Sequence, residues 1–197
     1  IDAELAAMGV PAERGAERIY PGTCRQGLQG KLARAWRLRC GDDRHPLNIE
    51  WQDRRLGPQQ QDVTHAVGDF ILKRADGPWA YQLAVVVDDA ETCITHVVRG
   101  EDHISNTPRQ ILVYEAFGWT PPSFAHLSLV LGPDHAPLSK RHGATSVAEF
   151  RAKGYLPEAL ANYLALIGWS PGDGEELLPL PELAARFELS AVGHSAG

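Results

Sequence analysis

Apolar runs separated by turn signals dominate this 197-residue chain from about residue 69 onward. The run Tyr81–Val87 is nearly all apolar and rich in β-branched residues, which predicts a strand buried on both faces. Asp69–Leu72 predicts a second strand, and the turn signal Asp76-Gly77-Pro78 lies between the two. Sheet structure is therefore expected to begin here.

The next elements are predicted to alternate between strand and helix. Thr95–Val98 has strand character and ends at the turn Arg99-Gly100. A helix is predicted to begin with Thr107 as N-cap and Pro108 at the first helical position, and to end at Gly118.

Further along, Leu127–Leu131 predicts another strand. Ser146 and Glu149 form a capping box for a helix over Val147–Lys153, and Leu156–Glu158 opens a further helix. This alternation predicts an open α/β sheet, in which ligands bind where the strands end. Residues 1–60 are richer in Arg, Gly and Gln and predict short strands, including Ala35–Arg39 and Asn48–Trp51, with one short helix possible near the start.

Charge is distributed unevenly along the chain. The net charge is −6, yet the stretch from Arg14 to Arg55 has ten Lys and Arg against five Asp and Glu, and the remainder has nine against twenty. Such a stretch is typical of a phosphate-facing region, although a solvated basic face without a partner explains it equally well.

Other bulk properties exclude several classes of protein. No apolar run approaches the roughly 18–20 residues of a membrane helix, and Ile1–Glu4 does not begin a signal peptide. Cys24, Cys40 and Cys93 are too few and too scattered for a disulfide framework, which predicts a cytoplasmic location. Cys40 and Cys93 are predicted to be small buried side chains.

The segment Pro137–Gly143 carries the sharpest chemical signal. It combines a hydroxyl, two adjacent cations and a glycine between a predicted strand and a predicted helix. Lys140 could stabilise charge on a leaving pyrophosphate, and Gly143 permits a close turn of the backbone. Most Ser-Lys-Arg triplets are surface turns, so this loop alone does not define a function.

This loop resembles the KMSKS signature of class I aminoacyl-tRNA synthetases, in the Leu-Ser-Lys-Arg form of glutamyl enzymes. Segments that resemble glutamyl-tRNA synthetases in order and spacing are Gly100–Pro108, Phe124–Leu127 and Leu156–Leu164. The resemblance implies the C-terminal half of a Rossmann-like catalytic domain, preceded by part of a small insertion region. It also implies that ATP, with Mg²⁺, and L-glutamate form glutamyl-adenylate, from which the glutamyl group passes to tRNA.

Site residues follow from the same resemblance. Tyr81 and Arg99 would hold glutamate, a role that suits a phenol and a guanidinium facing a carboxylate. The alternative is that Tyr81 caps a strand while Arg99 pairs with Glu101 or Asp102. Lys140 would be catalytic, and the ATP-binding loop would comprise Leu138, Ser139, Lys140, Arg141 and His142.

The N-terminal part resembles a narrower relative, glutamyl-Q tRNA(Asp) synthetase, which glutamylates the queuosine base of a tRNA. Tyr20 and Cys24 match the second half of its zinc pattern, whereas the Cys-x-Cys half would fall upstream of Ile1. Two ligands cannot close a tetrahedral site, so no well-formed zinc site is expected outside a longer parent protein. After Arg99 the residues are those of the ordinary glutamyl enzyme, and the acceptor, tRNA(Glu) or tRNA(Asp), stays open.

The family's HIGH-type motif has no counterpart between Ile1 and Asp69. We therefore expect a central fragment, with a partial insertion and acceptor-binding region (1–66), the second half of the nucleotide-binding domain with its KMSKS-like loop (67–150) and a partial helical segment (151–197). We expect no useful adenylation by the isolated chain, because catalysis needs all charge-stabilising groups together. The alternative is a non-catalytic paralogue that binds RNA or a protein partner.

Overall fold

The computed structural model describes residues 19–28, 30, 32–132, 134, 138 and 146–193. The strands in these ranges are β1 Trp36–Arg37, β2 Asn48–Asp53, β3 Gly57–Asp62, β4 Ile71–Lys73, β5 His96–Gly100 and β6 Ser123–Leu127. The helices are α1 Val63–Ala66, α2 Tyr81–Glu91, α3 Thr107–Phe117, α4 Val147–Ala152, α5 Pro157–Leu166 and α6 Leu180–Arg186. Short 3₁₀ segments cover Glu101–Asn106 and Leu189–Ala191.

The chain divides into two compact units, each built from separate stretches of sequence. The first unit takes its described residues from Ile1–Gln52, Pro58–Thr95 and Ser105–Pro122, and the second unit takes them from Asp53–Gly57, His96–Ile104 and Ser123–Gly197. The division into 1–66, 67–150 and 151–197 was drawn from contiguous sequence and stays a prediction.

One predicted strand is wrong, because Tyr81–Val87 forms the first two turns of helix α2. The helix continues through the polar residues after Val87 as far as Glu91, a length of 11 residues that suits a helix better than a strand. Val86 is the buried residue of this helix, whereas a strand buried on both faces would bury the residues on either side of it as well. Periodicity cannot separate the two structures in a short apolar run, and the helix packs against α3 within the first unit.

A buried carboxylate ties together distant parts of the first unit. Asp69 accepts hydrogen bonds from Arg25 Nε and Nη2, at 2.7 and 2.6 Å, and from the backbone N–H of Cys40 at 2.8 Å. Cys40 is fully buried, as predicted, and burial raises the pKa of its thiol to about 11. The same prediction is wrong for Cys93, which is exposed just after α2.

The predicted helix boundaries are largely confirmed. Helix α3 ends at Gly118, whose φ of 71° is the left-handed conformation that glycine adopts without steric cost. Its N-cap is Asn106 rather than Thr107, because the 3₁₀ turn before it leads directly into the helix. The capping box of α4 is present, with Ser146 and Glu149 each bonding the other's backbone N–H.

The second unit contains the parallel strands β5 and β6. Val97 pairs with Phe124, Val98 with Ala125 and Arg99 with His126. The predicted strand Leu127–Leu131 is therefore largely wrong, because the observed strand β6 ends at Leu127. Asp53, the last residue of β2, pairs in parallel with Phe124. Strand β3, which neighbours β2, was missed because its sequence, GPQQQD, has no apolar alternation.

The helices that follow in the second unit pack around a small apolar cluster. Trp169, Leu178 and Leu183 are buried, and the buried Asn162 side chain accepts from the Leu178 N–H at 3.0 Å. None of the described helices has the length and apolar character needed to cross a bilayer.

Candidate active site in the second unit

Arg99 lies near the carboxyl end of β5, where the parallel register sets it directly beside His126 of β6. Its Nε donates to His126 Nε2 at 3.1 Å, and its guanidinium carbon lies 5.5 Å from the centroid of the Phe124 ring. A Cβ on Gly100 would come within 2.5 Å of Asp102 Oδ1 and 2.9 Å of Leu129 Cδ2, so a larger residue there would require both side chains to move. The strand end therefore holds a partly exposed guanidinium in a defined setting.

His126 is fully buried and is fixed from its other side by Asp53. His126 Nδ1 lies 2.6 Å from Asp53 Oδ2, and both side chains are completely inaccessible to solvent. The second carboxylate oxygen, Oδ1, accepts the backbone N–H groups of Arg55, Leu56 and His126 at 3.0, 2.9 and 3.3 Å. Both carboxylate oxygens of Asp53 thus accept hydrogen bonds, from His126 near the end of β6 and from the turn that follows Asp53.

These contacts determine the tautomer of the imidazole. Arginine can only donate, so His126 Nε2 accepts from Arg99 and the ring proton lies on Nδ1, facing Asp53. Burial lowers the pKa of His126, and the Arg99 charge lowers it further, against the opposing effect of Asp53. Burial raises the pKa of Asp53, but hydrogen bonds from Leu56, His126 and Arg55 outweigh it and leave that pKa below the usual value. The pair is therefore a neutral imidazole with an ionised carboxylate.

The buried guanidinium of Arg55 stabilises the same strand end through hydrogen bonds. Nη1 donates to the His126 carbonyl at 2.7 Å, and Nη2 donates to Ser128 Oγ at 2.7 Å and to the Gly193 carbonyl at 2.6 Å. Glu101 Oε2 lies 3.4 Å from Nη1. These bonds tie the C-terminal segment to the end of β6.

Tyr81 lies in the first unit, at the first position of α2, and its side chain is 52% exposed. It lines a cavity of about 1060 Å³ whose other lining residues include Arg25, Arg34, Arg37, Arg39 and Arg74, with Asp69 and Asp76 as the acidic members. Tyr81 therefore starts a helix and does not cap a strand, which corrects the structural alternative drawn from the sequence.

Tyr20 and Cys24 lie together in the same cavity wall. The Tyr20 hydroxyl accepts from the Cys24 N–H at 2.9 Å, and the Arg37 guanidinium covers the Tyr20 ring at 4.2 Å. Burial raises the pKa of the Tyr20 hydroxyl above its usual value. No group of three or more His, Cys, Asp or Glu side chains within the described residues could hold a metal ion. These residues do not fit a zinc site by themselves.

The KMSKS-like loop falls mostly outside the described residues, which leave out Ser139, Lys140, Arg141 and His142. Leu138 is described, is exposed and donates its N–H to the Val130 carbonyl at 2.8 Å. The roles assigned to this loop stay predictions.

Asp53 and Arg55 were missed as site residues by reasoning from the sequence. Asp53 lies two residues beyond the predicted strand Asn48–Trp51, and an aspartate just after a strand is usually a turn residue. Its bond with His126 spans 73 positions of sequence, so only the pairing of β2 with β6 brings the two together.

With this geometry established, comparisons with known proteins identify the family. The family model described as tRNA synthetases class I (E and Q), catalytic domain, matches residues 34–196. The chain belongs to this family. Its mixed α/β structure with parallel strands agrees with the predicted Rossmann-like fold class, and its solved relatives are glutamate–tRNA ligases.

Individual relatives are consistent with this assignment. A glutamate–tRNA ligase from Synechococcus sp. (strain JA-3-3Ab) is 54% identical over 151 residues, which are 77% of this chain and 32% of the relative. One from Heliobacterium modesticaldum is 57% identical over 129 residues, 66% of this chain and 26% of the relative. The chain thus spans between a quarter and a third of the length of these relatives.

A solved structure is similar over nearly the whole chain. The crystal structure of a glutamate tRNA ligase from Elizabethkingia meningosepticum CCUG26117, in complex with its amino acid, matches with a TM-score of 0.76 at 32% identity. The match covers 98% of this chain and 43% of that one.

Proposed function

We propose that this chain contributes to the ATP-dependent activation of L-glutamate and to its transfer to tRNA. The observation that carries the proposal is Arg99, which is held beside His126 at the end of a parallel strand in a member of this synthetase family. Parallel α/β sheets bind ligands at that end of their strands. The relatives named as glutamate–tRNA ligases favour glutamate as the amino acid.

The proposed chemistry assigns one task to each of Arg99, Tyr81 and Lys140. A carboxylate oxygen of glutamate attacks the α-phosphorus of ATP, glutamyl-adenylate forms, and pyrophosphate leaves with its bound Mg²⁺. Arg99 would pair with a carboxylate of glutamate and Tyr81 would add a hydrogen bond. Lys140 would stabilise the charge that grows on the leaving pyrophosphate. The adenylate then loses AMP when a hydroxyl of the acceptor attacks its carbonyl carbon.

The cavity in the first unit supports tRNA as the partner. Five of its lining side chains are arginines and two are aspartates, and Trp79 and Tyr81 add aromatic surface. Guanidinium groups bind phosphates, and aromatic rings stack on unpaired bases. The same composition also suits a non-catalytic RNA-binding protein, which is the alternative from a different functional class.

Amino acid binding tests the first part of the proposal. We expect NMR signals of the 197-residue chain labelled with ¹⁵N to shift with added glutamate more than with glutamine or aspartate. Arg99→Lys should weaken glutamate binding about tenfold or more, because lysine keeps the charge but loses bidentate geometry. Arg186→Lys is the matched control in the same unit, since Arg186 pairs with Asp173, Glu175 and Glu182. Equal responses to the three amino acids would contradict glutamate as substrate.

A charging assay decides between the acceptors. The product of the complete open reading frame would be incubated with ATP, labelled glutamate and either tRNA(Glu) or queuosine-containing tRNA(Asp). We favour tRNA(Glu), because the residues after Arg99 resemble those of the ordinary glutamyl enzyme more than those of the queuosine-modifying relative. The adjacency of Tyr20 and Cys24 keeps the queuosine-modifying relative as the second candidate. Binding of tRNA without charging of either acceptor would favour the non-catalytic alternative.

A further inference from the structure

Three side chains of the second unit form a continuous row, which we call the Asp53–His126–Arg99 row. Asp53 Oδ2 contacts His126 Nδ1 at 2.6 Å, and His126 Nε2 accepts from Arg99 Nε at 3.1 Å. Asp53 and His126 have no exposed side-chain surface, whereas Arg99 is partly exposed. A ligand from solvent can therefore reach only the last member of the row.

The row orients the guanidinium as well as holding it. The bond to His126 uses the Nε–H, at the base of the planar group, and so fixes the plane in which the terminal nitrogens lie. The Phe124 ring restrains the same group at 5.5 Å. A guanidinium that is fixed in one plane loses less conformational entropy when it binds a carboxylate with two parallel hydrogen bonds.

We infer that Asp53 and His126 are positioning residues that hold the Arg99 guanidinium ready for a carboxylate of glutamate. This inference rests on the proposed function, in which Arg99 meets the amino acid. Asp53 acts through the tautomer that it imposes: its carboxylate keeps the ring proton on Nδ1, which leaves Nε2 as an acceptor for Arg99.

Replacement of Asp53 by asparagine should reverse this arrangement while conserving shape. The amide oxygen can accept the backbone N–H groups that Asp53 Oδ1 accepts now, which directs the amide NH₂ at His126 Nδ1. The ring proton then moves to Nε2 and faces the Arg99 Nε–H, donor against donor. An equivalent change of tautomer underlies the loss of activity when the aspartate of a serine-protease triad becomes asparagine.

The test measures the row and the ligand separately in the 197-residue chain. The row is followed through the ¹⁵N shifts of the His126 ring and through the Arg99 Nε–H signal, without any ligand. Glutamate affinity is measured by titration of the same samples. Three variants are compared, namely Asp53→Asn, His126→Gln and His126→Asn. The glutamine places an acceptor where Nε2 now faces Arg99, whereas the shorter asparagine reaches only Asp53, as a donor. Asp62→Asn is the matched control, because Asp62 contacts His65 at the same 2.6 Å distance in the first unit.

We expect the wild-type His126 ring to carry its proton on Nδ1 and the Arg99 Nε–H to exchange slowly. Asp53→Asn and His126→Asn should abolish that protection and weaken the binding of glutamate about tenfold, because the guanidinium must then be ordered when the ligand binds. His126→Gln should be milder, and Asp62→Asn should match the wild type.

Each adverse result overturns a different statement. A proton on Nε2 in the wild type, or an Arg99 signal that none of the row variants alters, overturns the positioning role. Unchanged glutamate affinity in Asp53→Asn and His126→Asn, when the wild type binds glutamate, overturns the inference but leaves the proposed function intact. A slowly exchanging Arg99 Nε–H together with no glutamate binding overturns the proposed function, and with it the ligand in this inference.

Discussion

The two units each contain an aspartate–histidine pair with the same 2.6 Å contact, and the two pairs behave in opposite ways. In the first unit, Asp62 and His65 are 39% and 56% exposed, and hydrogen bonding to Asp62 raises the pKa of His65. In the second unit, Asp53 and His126 are both fully buried, and burial lowers the pKa of His126. Distance alone therefore does not define the electrostatic state of such a pair.

The difference comes from solvation. An exposed imidazolium keeps most of its hydration and gains a carboxylate partner, so its charged form is favoured. A buried imidazolium loses its hydration, and here the neighbouring Arg99 charge opposes it as well. The exposed pair caps a short helix, since Asp62 also accepts from the His65 N–H, whereas the buried pair keeps a neutral ring that can accept from an arginine.

The largest expected effect is a loss of folding stability when the buried pair is broken. Asp53→Ala should lower the free energy of unfolding by about 3 kcal/mol or more, because several buried donors lose their only common acceptor. Urea denaturation followed by tryptophan fluorescence measures this loss. A decrease in the free energy of unfolding below about 1 kcal/mol would mean that water replaces the carboxylate as acceptor and that the pair is accessible to solvent.

A smaller effect is expected from pH. The pKa of His126 is lower in the folded chain than in the unfolded chain, where it is about 6.5. As the pH falls below about 6.5, the unfolded chain therefore binds a proton at this histidine before the folded chain does. Stability from this group is fully present above that value and is lost as the pH falls toward the folded pKa. His126→Gln should remove this part of the loss between about pH 7.5 and pH 5.5.

His65 should make a contribution of the opposite sign over the same interval. Its folded pKa is raised, so its stabilisation is fully present below the unfolded value and is lost as the pH rises through the folded one. Urea midpoints at both pH values for the wild type, His126→Gln and His65→Gln separate the two histidines. An identical pH dependence in all three proteins would contradict the contrast.

The smallest effect is expected from Asp62→Ala. Exposed ion pairs contribute little, and the helix that Asp62 caps has only four residues. The urea midpoint should fall only slightly, and added salt should reduce the difference from the wild type further. A loss as large as that of Asp53→Ala would show that exposure does not govern the strength of these pairs.

The sequence alone predicted the elements that are defined by local chemistry. The capping box at Ser146 and Glu149, the end of α3 at Gly118 and the strand that leads to Arg99 depend on residues that are neighbours along the chain. The motifs around Arg99 also identified the family, which the comparisons confirm. Local bonds determine these features in almost any tertiary setting.

Only the tertiary structure decided how Tyr81–Val87 folds and what surrounds Arg99. A short apolar run is compatible with a helix or a strand, and in the structure this run is a helix that packs against α3. The row behind Arg99 depends on the pairing of β6 with both β5 and β2, which brings Asp53 and His126 together across 73 positions. Burial then gives that pair its neutral imidazole, and the burial of a side chain is a property of the assembled strands that no local pattern contains.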